Sequence, residues 1–265
     1  MQYDLAFAER LVSEVRRGRE IGKELVRLGL GQREIQWLCS LDQRALLHDP
    51  LKGQRLLHSL ITELRASCAI VLAEKRHLHF FDRFFATQHF HTAVQQGRSL
   101  AAAFADFLLA AGLRTPVLAE VVRVEATLAR CRRALEAAGG VDWRAPPVPG
   151  ELTHVTRAPG VAVARHSPDA LDAIAAVERH LAASGVDPLV ALADGAPRVV
   201  LAPPTDRPPI PLGFIPGAAG IHLVELDKEL YEAIERAGGV TPVEHVGRPL
   251  AQSLVEDEVL IAATP

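Results

Sequence analysis

Apolar residues recur at three-four spacing through the first part of the chain, the period that gathers side chains on one face of an α-helix. Ala8, Leu11, Val12 and Val15 form one such stripe, and Leu57, Leu60, Ile61, Leu64, Cys68 and Val71 a second. Leu100, Ala103, Phe104, Phe107, Leu108 and Ala111 form a third, which Gly112 ends. Thr115 reads as the cap of a further helix with Pro116 in its first turn, and Val117, Val121, Val124, Leu128, Cys131 and Leu135 run down one side of it. An all-helical bundle is expected over this part.

Beyond residue 150 the pattern changes to short alternating runs broken by turn residues. Leu152 to Arg157 and Val161 to Arg165 flank Ala158-Pro159-Gly160 as a hairpin would, and Ala170 to Ala183 is helical. Arg198 to Ala202 and Ile221 to Leu226 read as strands. Asp227 caps a helix through Arg236 that Gly238-Gly239 stops, a short helix starts at Thr241-Pro242, Pro249 to Glu256 is a third helix, and Val259 to Ala262 closes as a strand. Strands, three short helices and a returning strand are the order of a winged helix-turn-helix. Only Pro50 and Pro116 of the 18 prolines fall before residue 146, and GGVDWRAPPVPGE reads as a linker. The expected fold is therefore α+β: a helical bundle over 1–140, a linker over 141–150 and a winged-helix-like module over 151–265, the two parts separable by proteolysis.

Composition narrows the function. A formal charge of −3 supplies no global field for nucleic acid. Cys39, Cys68 and Cys131 stand far apart without pairing into CxxC, which suits a reducing cytoplasm. No stretch has the length and apolarity of a membrane span or a signal segment. Dinucleotide, Walker, HExxH and GxSxG signatures are absent, so no catalytic residue is assigned. His77, His79, Asp82, His89 and His91 crowd one stretch, yet residues two apart on a helix point about 200° from each other, which argues against a metal site. Arg123, Arg130, Arg132 and Arg133 are interspersed with Glu120, Glu125 and Glu136, the mixture of a solvated helix face. Phe81, Phe84, Phe85 and Phe90 are either core or anchors for a partner.

Three segments carry a family resemblance: Phe80-Phe81-Asp82-Arg83-Phe84-Phe85, then Leu100 to Leu108 (LAAAFADFL), then Pro116 to Glu125 (PVLAEVVRVE). Together they resemble the helical domain of proteins encoded beside multinuclear non-heme iron-dependent oxidative enzymes. The tail, with Arg198 to Leu201, Ile221 to Leu226 and the helices to Leu260, is similar to the PqqD-like peptide recognition element of those partners. Relatives usually carry tryptophan after the arginine-x-glutamate pair, where this chain has Ala126. The resemblance implies a heterodimer with an iron oxygenase that modifies a ribosomally made precursor peptide, with the iron in the partner and no cofactor here. Phe81, Phe84, Phe85, His89 and Phe90 would meet that partner.

A recognition element of this kind takes an extended leader peptide as an added strand. Ile221, Leu223, Val224 and Glu225 would supply the edge, and Leu250 and Leu254 on the last helix the opposing wall. In the alternative, both faces of that strand are simply packed. A winged-helix transcription regulator is the first rival, opposed by a last helix that lacks lysine and arginine over Pro249 to Glu258 and ends in three acids. A stand-alone enzyme is the second, and no nucleophile and base are placed together by the sequence.

Overall fold

The computed structural model describes residues 52–112, 114–139, 152–184, 200–218 and 220–265. The stripe at Ala8 to Val15, Cys39, the linker over 141–150 and the strand expected from Arg198 lie wholly or mostly outside them. The described elements make a mixed α+β fold with two small antiparallel sheets. Contacts divide the chain into two compact units, residues 1–62 with 78–100 and residues 63–77 with 101–265.

In the first unit, helix α1 (Lys52–Glu63) ends where Leu64 leaves helical geometry, with φ −115° and ψ 50°. The stripe from Leu57 to Val71 is therefore two helices. The stretch from His77 to Val94 is also broken rather than continuous, into α3 (His79–Asp82), a 3-10 turn (Arg83–Ala86) and α4 (Gln88–Gln95). Thr87 explains the restart. It takes an extended conformation at φ −88° and ψ 155°, and its side chain accepts from Phe90 N as an N-cap.

In the second unit the long helix α6 (Leu118–Ala137) is the organising element. It packs against α2 (Arg65–Lys75), α7 (Pro168–Ser184) and the sheet formed by β2 (Ala162–His166), β3 (Ile210–Gly217) and β4 (Gly220–Glu225). The apolar α5 (Leu100–Ala110) belongs to the same unit from Ala101 onward. Thr115 does not cap α6. Its hydroxyl donates to Glu74 Oε2 at 3.3 Å, and the helix starts three residues later behind Val117, which offers no side-chain cap.

The second sheet has the order β5-β1-β6, with β1 (His154–Arg157) between β5 (Thr241–Pro242) and β6 (Leu260–Ala262). Helices α8 (Lys228–Arg236), α9 (Val243–Val246) and α10 (Arg248–Glu256) share its core, in which Val155, Ile234, Val243, Leu254 and Leu260 are buried. Asp227 caps α8 as the sequence predicts, accepting from Leu230 N at 2.8 Å. The expected hairpin around Ala158-Pro159-Gly160 does not form. Gly160 turns the chain at φ +81°, and β1 and β2 go to different sheets.

Strand β3 was unreadable as a strand because Pro211 and Pro216 lie within it. The register shows how they are tolerated. The ladder with β2 ends at Ala162 opposite Phe214, so Pro216 falls where β2 asks for no donor, while Pro211 still accepts from Leu226 N at 3.0 Å through its carbonyl. Among the described residues no single helix is long and apolar enough to cross a membrane.

The compact units do not coincide with the boundary drawn from proline usage, because α6 shares a unit with everything described after residue 150. Arg65 of α2 and Glu178 of α7 are ion-paired across that boundary. A chain with a protease site inserted between residues 141 and 150 should therefore stay associated after cleavage and elute from gel filtration as one species. Two separately eluting, folded fragments would support the division into independent domains.

Candidate functional site

The candidate site is the outer edge of β4. Its sequence, Gly-Ile-His-Leu-Val-Glu, pairs antiparallel with β3 from Leu212 opposite Glu225 to Gly217 opposite Gly220. Among the described residues no second strand pairs with its other side. Exposed edges usually carry lysine, proline or a bulge that deters further pairing. β4 has no lysine and no proline, and it leaves Leu223 37% and Val224 42% exposed.

The hydrogen-bond phase follows from one backbone bond and the alternation of antiparallel ladders. Leu226 N donates to Pro211 O, so residues 226, 224, 222 and 220 direct their backbone groups toward β3. Ile221, Leu223 and Glu225 then direct theirs outward. Their side chains share the face of Leu212 and Phe214, and that face meets α6: His166, on the same face of β2, lies near Glu120 of α6, with Nδ1 and Oε2 3.6 Å apart. The opposite face, with Val163 and Ile215, joins the C-terminal helix core.

The expected wall on the last helix is only partly available. α10 packs chiefly on α9 and β6, Leu250 is half-buried against the core, and Leu254 is 4% exposed within it. Leu254 is a core residue, and a pocket there would require the core to open. The expected partner face is likewise mostly interior. Phe81, Phe84, Phe85 and Phe90 are buried, with Phe84 and Phe85 edge-on or tilted against Phe90 and each other at centroid separations of 5.3 to 5.8 Å. Of those five candidates only His89 is exposed. His79 Nδ1 lies 3.0 Å from Asp82 Oδ2, and no group of three or more metal-ligating side chains gathers among the described residues.

Two buried polar groups were missed by pattern reading. Glu125 on α6 accepts from Ala66 N at 2.8 Å, Ser67 N at 2.8 Å and Ser67 Oγ at 2.6 Å. These are the first amides of α2, whose own N-cap position is Leu64, a residue with no side-chain acceptor. A carboxylate from another helix thus caps α2 and neutralises the positive end of its dipole. Burial raises the Glu125 carboxyl above its ordinary range, opposed by the three donors. The second group is His166, whose ring nitrogens find no hydrogen-bond partner among the described residues and whose imidazole burial holds below its usual value, against the pull of Glu120.

A tether holds the segment before β3. Asp169 at the start of α7 accepts from Thr205 N, Thr205 Oγ1 and Arg207 Nη2, which draws its carboxyl down to about 2. Arg207 also donates to Asp172. The entry into β3, and through it the hairpin carrying β4, is fixed to α7. No family model matches this chain, and neither a curated protein nor a solved structure matches it.

Proposed function

We propose that this chain is the non-catalytic partner of a multinuclear iron oxygenase, working in the cytoplasm, and that it holds the leader of a ribosomal precursor peptide as an added strand on β4. The observation that supports the reading is the unprotected edge: Ile221, Leu223 and Glu225 turn their amides and carbonyls outward from a strand that exposes Leu223 and Val224. Strand addition draws affinity from such main-chain groups. The element order after residue 210, a β-hairpin followed by α8, β5, α9, α10 and β6, supports likening this part to the winged-helix scaffold of the recognition elements this chain resembles. The iron and its ligands belong to the partner enzyme.

The experiment pans a displayed library of random nonapeptides against wild type, Leu223→Pro and Val224→Pro. Proline at Leu223 removes an outward N–H on an edge strand, where the fold tolerates it, and should weaken retained peptides about tenfold or more. Proline at Val224 instead removes the N–H directed at Gly213 and should lower stability. A folded Leu223→Pro protein that still retains the same peptides would move the site away from β4. Tagged chain drawn from its own cells should bring down an iron-containing protein. If it does not, the partner half of the proposal fails.

A further inference from the structure

Taking the reading of β4 as a peptide edge as its basis, we infer that the bound peptide is an extended segment that sets an aliphatic residue opposite Leu223 and a basic residue two positions away, opposite Glu225. A strand added to β4 alternates its side chains between the two faces of the sheet. Residues hydrogen-bonded to Leu223 and Glu225 lie on the same face as those side chains, which is the face of Leu212 and Phe214 over which α6 packs. Phe214 is fully buried and Leu223, its neighbour on β4, is not. The apolar row therefore stops one strand short of being covered.

An aliphatic side chain beside Leu223 extends that row by one strand. Two residues further along β4, the row changes character. Glu225 stands opposite the buried Leu212, its own side chain is exposed, and no cation among the described residues pairs with it. The nearby Lys228 is engaged with Glu232. Like charges directly opposite one another on neighbouring strands repel, and opposite charges attract. The edge thus favours a cation and rejects an acid at one position of the incoming strand. On the other face, His222 and Val224 are exposed, and polar peptide residues there lose nothing to burial. The recognised pattern is aliphatic-x-basic, or its reverse according to strand direction.

The nonapeptide library read by sequencing decides this. Wild type should enrich peptides with lysine or arginine two positions from leucine, isoleucine or valine, and Glu225→Lys should enrich aspartate or glutamate there instead. Individual peptides should change affinity about fivefold in opposite directions between the two proteins. Peptides lost with Leu223→Pro but unchanged in charge preference by Glu225→Lys would overturn this inference and leave strand addition standing. Enrichment that survives Leu223→Pro, or no enrichment by any folded protein, would overturn strand addition and the inference with it.

Discussion

Replacing Glu125 with alanine should lower the stability of the second unit by about 3 kcal/mol, because it leaves the first amides of α2 buried without an acceptor. In a chain of this size that is roughly 6–12 °C in Tm. Glutamine should rescue only part of the loss. A carboxamide has a single acceptor oxygen for two diverging N–H groups, and its own N–H2 would face the Ser67 donors. Thermal or denaturant unfolding of wild type, Glu125→Ala and Glu125→Gln measures this directly. A stability for alanine within experimental error of wild type would mean that α2 is capped by something else.

The same residue has a pH signature. Burial is the largest influence on Glu125 and raises its carboxyl, the donors at Ser67 and Ala66 oppose it, and Glu178 adds a further push upward. A folded-state value above the unfolded one means that the folded protein holds a proton which the unfolded chain releases. The contribution is fully present below the ordinary carboxylate range and is lost as pH rises through the raised value. Stability of wild type minus that of Glu125→Gln should therefore fall with rising pH across that window. A difference that rises instead would show that the donors outweigh burial.

Local signals in the chain were good guides where backbone chemistry is local. The Asp227 cap, the Gly112 stop and the strand at Ile221 follow from capping, positive φ and alternation, and each is found within a residue or so of its expected place. What failed was pairing over distance. Nothing in the order of residues around Pro159 says that β1 joins β5 and β6 while β2 joins β3, since the choice is made by a core assembled from residues up to Leu260. β3 was hidden because its prolines suppress strand propensity, although Pro216 lies past the end of the ladder with β2 and Pro211 keeps its carbonyl bond from Leu226. At the candidate site the strand was legible from alternation. Its hydrogen-bond phase was not, because phase depends on register with β3, and with it the difference between Leu223 and Val224. Glu125 looked like one charge among several on a helix face. Only the fold brings it to the amides of Ala66 and Ser67.

In the aromatic segment, where the sequence offers core or partner anchors, the phenylalanine rings lie in the interior. Phe84 is fully buried, its ring meets Phe90 at 5.4 Å and 74° and Phe85 at 5.8 Å, and its carbonyl accepts from the Thr87 hydroxyl that begins α4. Truncation to alanine removes a large apolar side chain and leaves a cavity whose aromatic neighbours lose their edge-to-face contacts. Phe84→Ala should cost about 3–5 kcal/mol in the first unit, seen as a lower denaturant midpoint with an unchanged slope. His89 makes the control, since it lies five residues on with its side chain in solvent and should change stability by less than about 0.5 kcal/mol when truncated. Any loss of partner binding by Phe84→Ala then has to be compared at matched folded fraction, whereas a loss by His89→Ala reports the surface itself. Should Phe84→Ala leave the midpoint where it is, the ring would not be the core residue its burial makes it, and the aromatic segment would return as a docking face.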